Sequence, residues 1–161
     1  MDIYTVSFFG HRDFYAHHKC EAKLEPIIRE LLNTKEYVDF LVGRNGEFDV
    51  FASSIVRRAK KNIWDANSSL VLVLPYPTSE YTNSQEYFED FYDEIEISEK
   101  ASMSHFKSAM QIRNKEMVDR SDLVICYIER NSGGAYQTIE YAKKQNKRII
   151  NLAEDDSEDD D

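Results

Sequence analysis

Several things are scarce in this sequence. Cysteine occurs twice, as Cys20 in a helical pattern and Cys126 in an apolar strand pattern. Neither has metal-site spacing, so no disulfide framework and no metal centre are expected, and the pair suits the reducing cytoplasm. His17 and His18 beside Cys20 have no second ligand group at useful spacing. No apolar run approaches the roughly 18 to 20 residues that cross a bilayer. Asp2, rather than a basic stretch, precedes the first apolar segment, so neither secretion nor membrane insertion is expected.

Basic residues are also in the minority, with 20 Lys and Arg against 30 Asp and Glu and a net charge of −10. The acids are concentrated: Glu154 to Asp161 holds seven, Glu80 to Glu99 holds eight and no base, and the rest of the chain stands at +5. The tail, 154–161, reads as a solvated, disordered acidic end. The body can offer a modest positive site to an anion. It has no broad basic stripe, which excludes duplex nucleic acid as an expected partner.

What is present is enough for one domain: 161 residues, 42% hydrophobic, with 1–153 expected to fold as a unit. Ile3 to Phe9, Val38 to Val42, Leu70 to Leu74, Leu123 to Ile128 and Arg148 to Leu152 read as strands. Helical periodicity fills the intervals at His17 to Leu32, with Pro26 as a candidate kink, and at Glu47 to Lys61, Ser104 to Asp119 and Ala135 to Lys144. Segment 76–99 breaks the rhythm. It is aromatic and acidic, with a short helix at Gln85 to Tyr92 and an extended Ile95 to Ile97, and reads either as a flap over a site or as a connection.

Strands alternating with helices require crossovers and so a parallel sheet. The expected fold is α/β, a Rossmann-like three-layer sandwich with a mostly parallel sheet of about five strands. Ligands of such sheets bind outside the carboxyl ends of the strands. That places three turns at one candidate site: GHRDF, GRNGEFD and RNSGGAYQT. The first offers Gly10, His11 and Arg12. In the second, Gly43 and Gly46 flank Arg44, a planar fork suited to phosphate, and Asn45. In the third, Gly133 and Gly134 precede a helix N-terminus with free amides, and Thr138 and Glu140 follow in its early turns. Each turn also has a plain reading as a tight connection that binds nothing. Arg113, with Met110 and Met117 at helical spacing, either snorkels or points into a cleft.

The motifs SFFGHRDF, FLVGRNGEFD, SSLVLVLPYPT and QIRNKEMVDRSDLVICYIERNSGGAYQTIEYA, spread over about residues 3 to 152, resemble the SLOG superfamily. These are Rossmann-like nucleotide-binding domains related to the LOG phosphoribohydrolases, and the likeness is to their small stand-alone bacterial branch. The resemblance puts Arg113 and Glu140 on the family's catalytic arginine and glutamate. Ser132 and Tyr136 replace a motif proline and glycine, and Thr138 comes one position late. It implies a module that senses or sequesters a nucleotide-derived small molecule without a cofactor. The alternatives are a hydrolase of the N-glycosidic bond of a nucleoside monophosphate and a protein-interaction adaptor. Pairing into a homodimer is an expectation carried by the resemblance alone.

Overall fold

In a computed structural model, which describes residues 1–63 and 66–154, the apolar runs become adjacent strands of one sheet. β1 (Ile3–Gly10), β2 (Tyr37–Val42), β3 (Ser68–Leu74) and β4 (Glu94–Ile97) step outward in order, and β5 (Leu123–Tyr127) then returns to the other side of β1, followed by β6 (Arg148–Asn151). The order is β4-β3-β2-β1-β5-β6, and every neighbouring pair is parallel. Among the described residues the sheet thus has six strands, the extra one being the edge strand formed around Ile95 to Ile97.

Connections between parallel strands must cross a face of the sheet. α1 (His17–Thr34) and α2 (Glu47–Asn62) cover one face; α6 (Phe106–Asp119) and α7 (Gly134–Lys144) cover the other. Strand side chains alternate accordingly. Val6, Phe8, Leu123 and Ile125 join the core under α1 and α2, whereas Phe9, Val124 and Cys126 join that under α6 and α7. Pro26 stays within an unbroken α1, on its exposed side, where the carbonyl it leaves unpaired can reach water.

Two aspartates set neighbouring strands in register by the same device. Asp122, just before β5, accepts the Thr5 N–H at 2.8 Å and returns its own N–H to the Thr5 carbonyl at 2.8 Å. Asp93, just before β4, does so with Leu70 at 2.7 and 2.9 Å.

Segment 76–99 forms the short helices α3 (Ser79–Asn83) and α4 (Gln85–Phe91) and then β4; α5 (Glu99–Ser102) follows and leads to α6. Phe88 and Tyr92 are both buried in the larger core cluster. Of the acidic tail, residues 155–161 lie outside the described residues. Among the described residues no helix is long and apolar enough to cross a membrane.

Candidate functional site

With all strands parallel, their carboxyl ends share one edge, and the reversal in order between β1 and β5 opens a crevice there. A cleft of about 380 Å³ occupies it. Eight of the residues singled out from the sequence meet in its lining: Gly10, His11 and Arg12 after β1, Gly43 and Asn45 after β2, Gly133 and Gly134 after β5, and Arg113 from α6. The starts of α6 and α7 lie at this same edge, which brings in Met110, Gln111 and Ala135.

The first two turns are locked together. The Glu47 N–H donates to the Arg12 carbonyl at 2.9 Å, and Arg12 Nε donates to the Asn45 carbonyl at 3.2 Å. Asp49, in the first turn of α2, accepts the Asn45 N–H at 2.9 Å. The start of α2 is therefore occupied by the chain's own carboxylate. Burial pushes the Asp49 carboxyl up to about 6, against the Asn45 N–H and the charge of Arg113, which both hold it down.

Arg113 neither snorkels nor reaches into open solvent: it is 1% exposed. Its Nη1 donates to the Val73 carbonyl at 2.8 Å, its Nε to Asn114 Oδ1 at 3.0 Å, and its Nη2 meets Met110 Sδ at 3.0 Å. Burial lowers its pKa to about 10, with Asp49 opposing, so the guanidinium stays cationic at neutral pH. It forms a charged floor to the cleft, held from below.

α7 begins differently from α2. Gly133, its N-cap, has φ +98°, a conformation that strains any other residue, while the space where a side chain would go is open. The first N–H groups of a helix have no partner within it. No acidic residue stands in this first turn, and two lysines end the helix, so the positive end of α7 opens on the cleft. Gln111 Nε2 donates to the Gly134 carbonyl at 3.2 Å and ties α6 to this turn.

Arg12 and the exposed Arg130 stand on the rim. His11 is buried, and its Nε2 accepts the Glu129 N–H at 3.1 Å, which fixes the neutral ring. Its pKa is lowered by burial and then by Arg130, with Glu129 opposing.

Four residues expected at the site are placed elsewhere. Arg44 turns into an adjoining groove, stacks over Phe88 at 4.7 Å and donates to Glu80 at 2.5 Å and the Tyr92 hydroxyl at 3.1 Å. Gly46 lines that groove too. The Thr138 hydroxyl is buried, donating to the Gly134 carbonyl at 2.9 Å and accepting from Asn114 Nδ2 at 3.0 Å. Glu140 lies outside the cleft, in the groove between α6 and α7, paired with Lys143 at 3.1 Å. His17 packs against Phe14 and Phe51, and among the described residues no cluster of His, Cys, Asp and Glu could hold a metal ion.

Arg130, Gln111, Asn114 and Asp49 were not singled out from the sequence. Arg130 and Asp49 carried a signal, a cation just before the glycine pair and an acid three residues past Gly46. Gln111 and Asn114 carried none, since only the packing of α6 against α7 brings them in.

Two solved structures share this fold. One is DNA processing protein A from Helicobacter pylori, in a structure concerned with its single-stranded DNA binding mode: TM-score 0.60, 20% identity, covering 91% of this chain and 63% of that one. The other is DNA processing protein A from Streptococcus pneumoniae: TM-score 0.63, 14% identity, covering 91% and 49%. This chain spans less than two thirds of either protein. No protein-family profile and no curated protein matches the sequence.

These neighbours correct the functional expectation. Where the sequence suggested the small stand-alone SLOG branch and a sensor or sequestering module with a small-molecule partner, both structural neighbours are DNA processing proteins, one presented in its binding of single-stranded DNA. The glutamate of the N-glycosidic hydrolase alternative, Glu140, lines the α6–α7 groove, whereas its arginine, Arg113, lines the cleft.

Proposed function

We propose that the strand-end cleft binds single-stranded nucleic acid, DNA in the first instance, through its phosphates. The observation that carries the reading is the pairing of an acid-free α7 N-terminus with Arg12 and Arg130 on the same cleft, over the buried cation Arg113. A phosphate between them meets backbone N–H donors and two guanidinium forks. The single-stranded DNA binding of the Helicobacter pylori neighbour agrees with it. The net charge does not oppose it, since fifteen of the acids fall within 80–99 and 154–161. A duplex would need cations on a wide face, whereas a narrow cleft admits one backbone.

Fluorescence anisotropy with labelled dT12 over 50 to 200 mM salt tests this. Binding should weaken with salt, and Arg12→Ala or Arg130→Ala should each reduce the log–log slope by about 0.7, the value for one single-strand phosphate contact. No anisotropy change at the lowest salt, or equal binding of a 12-base-pair duplex, would sink the proposal.

A further inference from the structure

Two grooves run out of the cleft, and their chemistry differs. On one side the cleft shares Arg12 and Asn45 with a groove of about 670 Å³ bounded by α1, α2 and α3. Asp13, Glu47 and Glu80 line that groove, and its arginine Arg44 is already taken by Glu80. A phosphate entering it faces Asp13 and Glu47, with Arg12 at the junction as the cation left to oppose them. On the other side the cleft shares Gln111 with a groove of about 350 Å³ between α6 and α7. Lys115 and Lys144 line it, both exposed, together with Tyr136 and Tyr141. Its single acid, Glu140, is paired with Lys143. Lys115 Nζ stands 5.4 Å from the centre of the Tyr141 ring, so cation and aromatic face already occupy one spot.

From this asymmetry we infer that the bound strand leaves the cleft past Gln111 into the α6–α7 groove, which forms a second subsite for single-stranded DNA. Lys115 and Lys144 take the next phosphates and Tyr136, in the first turn of α7, takes a base on its ring. Tracks for single strands combine these two elements, a cationic groove and aromatic faces that accept any base. The subsite rests on the cleft reading above, and makes the substrate a run of nucleotides rather than a single one. The chain has one direction along the surface, because the opposite groove is acidic.

The test pairs the Lys115→Gln/Lys144→Gln variant with the wild type on dT12, with 5-bromouracil at one position at a time. The wild type should cross-link to Tyr136 or Tyr141 from positions to one side of the cleft only, and the variant's salt slope should fall by about 1.4, two single-strand contacts. Asp13→Ala, in the acidic groove, should leave the slope unchanged. Binding with an unaltered slope in the lysine variant, or cross-links mapping to Phe51 and Val50, would overturn the second subsite while leaving the cleft reading intact. No binding of dT12 by the wild type would overturn both. Tighter binding of rU12 than dT12 would overturn the assignment to DNA.

Discussion

The guanidinium of Arg113 lies directly against Gly43, so that a Cβ at that position would come within 3.0 Å of Nη1 and 3.2 Å of Nη2. Arg113 cannot easily yield, because Val73, Asn114 and Met110 hold it from three sides. Gly43→Ala should therefore destabilise the fold by about 1–3 kcal/mol, the usual cost of overpacking. That corresponds to a melting-point decrease of several degrees, about 2–4 °C for each kcal/mol. Differential scanning fluorimetry reads it directly, and an unchanged melting point would show that the guanidinium moves freely.

Arg113 itself is expected to behave as a structural cation. Arg113→Met removes the charge that faces buried Asp49 and three donors that satisfy neighbouring acceptors. Leaving the buried acceptors of this guanidinium unsatisfied costs about 1–3 kcal/mol for each unmet group. Urea unfolding should show the loss, and Arg113→Lys should recover little of it, since an ammonium cannot reproduce the fork. A variant of wild-type stability that had lost only binding would place the guanidinium in direct contact with ligand instead.

Asp49 and His11 should give the stability curve opposite slopes. The folded Asp49 carboxyl, raised from 3.8 to about 6, holds more protons than the unfolded chain between those values. Its stabilisation is present below 3.8 and lost as pH rises through 6, on the order of 3 kcal/mol in all at 1.36 kcal/mol per unit. Asp49→Asn should abolish this, so the difference between wild-type and variant urea midpoints should shrink between pH 4 and pH 7. His11 runs the other way. Its folded pKa is lowered below 6.5, so the unfolded state takes up the proton first and stability falls as pH drops below that value. His11→Gln should unfold less steeply with acid over that range.

Tyr15 and Phe106 are 85% and 67% exposed, and both stand at the carboxyl edge of the sheet, in the turn after β1 and at the start of α6. Neither supports the core. If single strands bind at this edge and leave along α6, replacing Phe106 by Ala should weaken dT12 by about 1–3 kcal/mol for each base it stacks, whereas Tyr15→Ala, between Asp13 and His17 of the acidic groove, should not, and neither should change the melting temperature. Equal affinity in both variants would show that the strand passes neither ring.

The sheet was legible in the sequence because its central strands are buried on both faces and read as unbroken apolar runs, LVLVL and LVICY among them. β4 was harder to read: EIEI alternates, as befits an edge strand. The three strand-end turns were legible because glycines follow those runs directly. Side-chain direction on the helices was not. Thr138 and Glu140 are two residues apart on α7, about 200° around it at 3.6 residues per turn, so burying the first turns the second away from the cleft. Arg113 was equally opaque. The carbonyl of Val73, 40 residues away, helps to hold a guanidinium buried there, and sequence spacing gives no sign of it.

The acidic edge strand has a bearing on how copies of this chain meet. Glu94 and Glu96 stand on β4, whose outer side pairs with no strand among the described residues, and Arg148 begins β6 at the opposite border. Arg120 holds Glu96 at 2.7 Å, which leaves Glu94 as the carboxylate that opposes pairing of this border with the same border of another molecule. At high concentration, self-association along this border should grow as salt screens Glu94.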